Sequence, residues 1–243
     1  MFFLVILSAY LSKKGSSIIP GILASIAFSI KIIPGAIIFY FLSLKNYKAV
    51  FSFIFGAILF SFIIPVTFYG LDKTIILFNQ WKDVLSDTNH FPFYKYTNQS
   101  PLIIAYRFMP MTYAKVIHYL FNGFILFNLL KSTYKGNQLT TLALSFILML
   151  SFGPVVWIEY FILLLPVYLI VNYFFTEKLL SKKYIYIWIF KIIFTNLLVK
   201  FFVGNDISIK LANYGQHFFG LVITIVIGLY CLKRVETFRP VKN

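Results

Sequence analysis

Acidic side chains are scarce in this chain: seven Asp and Glu in 243 residues, against 22 Lys and Arg. Charged residues of both signs reach only 12%, about half of the roughly 25% usual for a soluble domain. Cysteine occurs once, as Cys231, which excludes an internal disulfide and any CxxC pair. His90, His118 and His217 are scattered, so no metal-ligating spacing exists and no metal is expected. The sequence has no GxGxxG, P-loop, GxSxG or HExxH. Asp83 and Asp87 stand four apart and make no DxD pair. These absences leave no motif for a nucleotide cofactor, a serine nucleophile or a zinc hydrolase, and no cofactor is expected. The net charge of +15 raises nucleic acid as a partner. The basic residues, however, form short clusters between long apolar runs, with no basic face interleaved with aromatics.

What the chain does have is apolar length. Hydrophobic residues are 60% and aromatics 21%, and mean hydropathy is +0.85. Apolar spans run over 1–12, 17–44, 49–70, 109–130, 139–155, 157–174, 184–203 and 215–232. A helix crosses a bilayer in about 20 residues. The first span is too short for that and lacks the basic start of a signal peptide, so it reads as the tail of a longer helix. The expected architecture is all-α: one polytopic integral membrane domain over 1–243, with about eight membrane segments. No tandem repeat or low-complexity linker interrupts it.

Basic clusters at Lys13–Lys14, Lys45–Lys48, Lys131–Lys135, Lys178–Lys183 and Lys233–Lys242 set the orientation by the positive-inside rule. The C-terminus is then cytoplasmic in a bacterial-type plasma membrane, and 71–108 forms a long outer loop. That loop holds Trp81, Asp83, Asp87, His90, Phe91, Phe93, Tyr94, Tyr96 and Arg107. Both ends of 17–44 are basic, yet its 28 or so residues are too few for two crossings. Two half-length helices meeting near Lys31 and Pro34 resolve the conflict; the alternative is one long tilted helix with Lys13 and Lys14 outside. Such a broken or re-entrant pair places Lys31, the one charge of the stretch, facing a cavity.

Four groups of residues carry candidate chemistry. Lys31 offers a compact charge for a phosphate; a lysine that snorkels or rests on carbonyls is the bland alternative. Asn98, Gln99 and Ser100, followed by Tyr106 and Arg107, lie where the outer loop re-enters the membrane. Amides and a guanidinium there suit sugar hydroxyls and phosphate oxygens. Asn-Gln-Ser also fits a glycosylation acceptor, and short polar side chains also cap loops. Gly153-Pro154-Val155-Val156-Trp157-Ile158-Glu159-Tyr160 follows an apolar span. Glu159 is the acid nearest membrane depth, suited to a base or a sugar ligand, or to a helix N-terminus. Lys191 and Lys200 are weaker candidates in the span 184–203.

Three pieces in this order resemble glycosyltransferase family 87, which includes polyprenyl-phosphate-mannose-dependent mannosyltransferases. They are Gly21 to Pro34 with Lys31, Asn98-Gln99-Ser100 with Arg107, and Gly153-Pro154-Val155-Val156-Trp157. The resemblance spans roughly Leu4 to Asn172. It implies a GT-C-like helical bundle that moves a sugar, with inversion, from a polyprenyl-phosphate donor to a lipid or glycan acceptor at the outer membrane face. The implied partners are that donor, that acceptor and membrane lipids, with no nucleic acid. Lys31 and Arg107 would bind the donor phosphate in one cavity. Asn98, Gln99, Ser100, Trp157 and Tyr160 would contact sugar or acceptor. The family's catalytic carboxylate lies in a first outer loop, and no residue here matches it. The resemblance is therefore to the C-terminal portion of such an enzyme, with these residues inactive alone. The family often carries a histidine shortly after the tryptophan; Ile158, Glu159 and Tyr160 stand there, so Glu159 is at most an auxiliary group. Other expected classes are a transporter or lipid flippase subunit with a midplane polar site, and a membrane glycan polymerase or ligase.

Overall fold

The computed structural model describes residues 1–86, 98–152, 164–176, 182–193 and 205–238. Among them the fold is helical, with no strand. The chain divides into two compact units, 1–93 with 130–141, and 94–129 with 142–243.

In the first unit, α1 (Phe2–Lys13) leads to α2 (Ile19–Ile30). The helix stops where the charge and the proline predict a break. Lys31 is extended, with φ −158° and ψ 129°. A 3-10 turn over Ile33–Ile37 then carries Pro34 before α3 (Ile38–Ser43). Pro34 lacks an N–H for the ladder, and in a continued α-helix its ring would strike the carbonyl of Ile30, four residues back.

α4 (Tyr47–Ile58), a π-helical turn (Leu59–Ile63) and α5 (Ile64–Tyr69) form one continuous helical rod. The π turn sits just before Pro65. Its wider winding accommodates the missing N–H and the ring that would strike the carbonyl four residues back. Gly70 ends the rod with φ +78°, a conformation open to glycine, and α6 (Leu71–Ser86) follows.

α1 and α4 both pack on α2. The α2–α4 contact is made of small residues, the arrangement membrane helices use to bring backbones close. A Cβ on Gly21 would fall on Ser52 Oγ and on the Ala49 and Phe53 backbone, and one on Gly56 would fall on Ser25. Hydroxyls and an amide tie the helix ends. Ser8 Oγ donates to Pro20 O at 2.7 Å and Ser52 Oγ to Ile18 O at 2.9 Å. Asn46 caps α4 through Ala49 N, and its Nδ2 donates to Ser12 Oγ and Ser16 O.

Tyr47–Tyr69 is the one described helix long and apolar enough to cross a membrane, with a mean hydropathy of 2.5 over its most apolar window. Only 17% of that window is buried, which separates it from the core helix of a soluble domain. Phe51, Ile54, Phe55 and Ile58 stand exposed along it, as a lipid-facing stripe does. Among the described residues no other helix passes as a full crossing. α1 is short, as expected of the first span, and 17–44 is broken into α2 and α3 near Lys31 and Pro34. Lys115, His118, Asn122 and Asn128 dilute the apolar character of α8 (Met111–Tyr134). The spans 157–174 and 184–203 run partly outside the described residues.

The segment expected as an outer loop from 71 opens with the sixteen-residue α6. Thr74, Leu77, Phe78 and Trp81 recur at the spacing of one helix face, a regularity hidden by the polar residues between them.

In the second unit, α7 (Pro101–Tyr106) and most of α8 precede α9 (Gln138–Ser151), which begins in the first unit. Then come α10 (Leu165–Thr176), α11 (Lys182–Ile192), α12 (Asn205–Asn213) and α13 (Gln216–Phe238). α10, α11 and α12 pack on α13. The core gathers Ile103, Ile104, Ile125, Phe146, Val171 and Leu221.

Candidate functional site

The break after α2 opens onto a cleft of about 460 Å³ within the first unit. Lys31 lines it with its neighbours Phe28, Ser29, Ile30 and Ile32. Phe60, Ser61 and Pro65 come from the π turn and α5, and Thr74, Leu77, Phe78 and Trp81 from α6. Two irregular pieces of backbone, the extended residue and the π turn, thus meet one cleft. Non-helical backbone at membrane depth is tolerated where it lines a cavity or lies within protein. Ser29 Oγ and Ser61 Oγ lie 3.0 Å apart, and Ser29 also donates to Ser25 O at 2.9 Å. Lys31 is half-buried. The surroundings are otherwise aromatic and aliphatic, so a single cation faces largely apolar walls.

The second candidate group is built differently. Asn98, Gln99 and Ser100 are each 0% exposed. Asn98 Oδ1 accepts from Ser100 N at 3.1 Å, and Ser100 Oγ accepts from Ile103 N at 3.2 Å. Ser100 is therefore the N-cap of α7, with Pro101 in its first position, where the missing N–H costs nothing. Gln99 Nε2 donates to Ala212 O at 2.8 Å. Of the readings open for this triplet, the geometry realises capping; an acceptor asparagine needs an accessible amide, and this one is enclosed.

The Arg107 guanidinium reaches backbone carbonyls. Nη1 donates to Ala212 O at 2.9 Å and Asn213 O at 3.0 Å, and Nη2 donates to Asn98 O at 2.9 Å. Burial lowers its pKa from the ordinary value, yet a guanidinium stays charged in proteins. The fork thereby clamps the end of α12 to the residues that cap α7.

Trp157, Glu159 and Tyr160, with Gly153 and Pro154, lie outside the described residues, as does Lys200.

The structure adds two polar groups that sequence reasoning missed or ranked low. Ser151 Oγ, at the end of α9, donates to Asn122 Oδ1 at 2.7 Å. Asn122 Nδ2 donates to His118 O at 2.9 Å and Ser151 O at 3.3 Å, and lies 3.3 Å from His118 Nδ1. The signal available was His118 and Asn122 standing four apart in an apolar helix. The other group surrounds Lys191, which is 0% exposed. Its Nζ sits 3.5 Å from the Tyr168 ring centroid and 4.9 Å from that of Trp188. Trp188 Nε1 in turn donates to Asn172 Oδ1 at 2.9 Å. Desolvated cation–π contacts of this kind contribute about 2 kcal/mol.

The family profile of glycosyltransferase family 87 matches residues 1–157, which is more than half of the chain. The match takes in Lys31, Asn98–Ser100 and Arg107 and ends at Trp157. Comparison with curated proteins and with solved structures gives no match.

Proposed function

The chain belongs to glycosyltransferase family 87, and from that premise we propose that it moves a hexose, with mannose the first candidate, from a polyprenyl-phosphate donor to a lipid or glycan acceptor. Membership makes it a membrane glycosyltransferase. The donor class, the acceptor, the outer face and a GT-C-like bundle of several crossings are our reading. The observation that carries it is Lys31 in its extended break, lining a cleft with apolar walls. A polyprenyl phosphate has the complementary form: an anionic group on a long hydrocarbon chain. Lys31 meets the phosphate as a point charge, and the aliphatic and aromatic walls receive the first prenyl units.

Arg107 enters this proposal as a brace. Its three carbonyl bonds hold Asn98–Ser100 in place, and its expected grip on phosphate is the weaker reading. Trp157 and Tyr160 are proposed contacts to sugar or acceptor, and Glu159 an auxiliary acid or base. No residue here matches the family's base, so the 243 residues alone are expected to be inactive. Cytoplasmic loops at Lys45–Lys48 and Lys131–Lys135, with 71–108 outside, complete the reading. Impermeant thiol labelling of single cysteines in a Cys231→Ser background checks the orientation: position 88 labels from outside and position 133 does not, and the reverse pattern rejects it.

The deciding experiment is equilibrium titration of polyprenyl-phosphate-hexose binding to Lys31→Met, which needs no turnover. A charge-assisted hydrogen bond contributes about 1.5–3 kcal/mol, so donor affinity is expected to fall by roughly ten- to a hundredfold. Unchanged donor dependence in a normally folded variant rejects the phosphate role.

A further inference from the structure

We propose that Trp81 is the sugar platform of the Lys31 cleft, a residue that sets donor specificity by stacking on the hexose ring. The inference rests on the donor-site reading above and adds the part of the ligand that Lys31 does not recognise.

α6 presents one stripe to the cleft, Thr74, Leu77, Phe78 and Trp81. The stripe changes character along its length. Thr74 is almost completely buried, and its hydroxyl is spent on Gly70 O at 2.8 Å. Leu77 and Phe78 are apolar. Trp81 combines a large ring with a polar edge, and it is 46% exposed although it lines the same cleft as Lys31. A half-exposed tryptophan on a cleft wall offers a large ring surface and a polar indole N–H on one side chain. A pyranose has the matching form: a face of C–H groups that stacks on an aromatic ring, and a rim of hydroxyls that accept from an indole N–H. A prenyl chain alone needs no such polar rim. A phosphate needs a cation, which Lys31 supplies. Small-ligand sites place a few oriented polar groups among aromatic walls in this way.

The test uses the full chain in detergent and two ligands that differ only in the sugar: polyprenyl-phosphate-hexose and bare polyprenyl phosphate. Equilibrium binding of each is measured for the parent, Trp81→Ala, Trp81→Phe and Lys31→Met. Trp81→Ala is expected to lose roughly tenfold in affinity for the sugar-bearing donor and to bind the bare lipid phosphate as the parent does. Trp81→Phe keeps a ring face and should recover most of the loss. Lys31→Met should weaken both ligands. If Trp81→Ala weakens both ligands equally, Trp81 packs the prenyl chain and the inference is overturned. If it weakens neither while Lys31→Met weakens both, the inference is again overturned and the donor site stands. If Lys31→Met weakens neither, the donor-site reading fails, and the inference with it.

Discussion

Lys31 and Arg107 are both cations next to long apolar spans, and the chain treats them in opposite ways. Arg107 points its fork at Ala212, Asn213 and Asn98, all of them backbone carbonyls. Lys31 lines a cleft whose walls are mostly apolar. The difference follows from what each break in the chain leaves behind. At the end of α12, Ala212 O accepts from Gly215 N and Gln99 Nε2 as well as from Arg107, and a planar guanidinium with several N–H groups satisfies two segments at once. The break after α2 is instead stitched by its own 3-10 turn, with Gly35 N donating to Ile32 O at 2.9 Å. Lys31 there lies among the residues that line the cleft. A cation that braces backbone is a poor ligand group, because a ligand has to displace what it already holds.

The comparison breaks most readily at Arg107. Arg107→Met deprives three carbonyls of a charged donor, each such bond contributing about 1.5–3 kcal/mol. A stability loss of about 3 kcal/mol or more is expected, read as a large fall in the thermal midpoint in detergent. Arg107→Lys should recover only part of it, since an ammonium has no planar fork. A normal midpoint combined with weakened donor use would place Arg107 beside Lys31 as a ligand group.

The next effect concerns how the first unit holds its cleft together. There the helices meet through small residues more than through charged clamps. Gly21→Ala puts a Cβ onto the Ala49 and Phe53 backbone, which cannot rotate away, so a loss of about 1–3 kcal/mol is expected. Gly123→Ala is the control of opposite sign. Nothing lies within 4 Å of a Cβ there, and alanine favours a helix over glycine by about 0.5–1 kcal/mol. Equal behaviour of the two variants in thermal unfolding would remove close backbone approach from the account.

The smallest effect on stability is expected at Lys31 itself. Lys31→Met should change the unfolding free energy by about 1 kcal/mol or less, as substitutions outside packed cores do. A large loss would make Lys31 a brace after all and erase its contrast with Arg107.

Much of this was legible along the chain. The break at Lys31 and Pro34 was readable because a proline and a lone charge act on their own neighbours. Ser100-Pro101 spells a helix start for the same local reason. The helix α6 was missed because Asp72, Lys73, Asn79, Gln80 and Lys82 mask its apolar stripe, and the stretch read as a mixed loop. The roles within 98–107 were out of reach. Arg107 finds its partner carbonyls 105 and 106 residues away, and no local pattern announces which carbonyls a distant helix end will leave open. Lys191 was ranked low because its aromatic partner Tyr168 lies on a different helix. Trp81 was noted as one aromatic among many, until α6 brought it to the cleft that Lys31 lines.

By itself, the sequence determined the class and the punctuation. Apolar length with few acids, one cysteine and no nucleotide motif makes a helical membrane chain, and the order of its weak motifs points to family 87. Proline, glycine and lone charges determined where helices break, because those effects act within one turn of backbone. Only tertiary structure decided which polar groups are consumed. A side chain's freedom to meet a ligand depends on the carbonyls and rings brought to it by segments far along the chain. That is why Arg107 became a clamp, Lys191 was enclosed by aromatic faces, and Lys31 came to line a cleft.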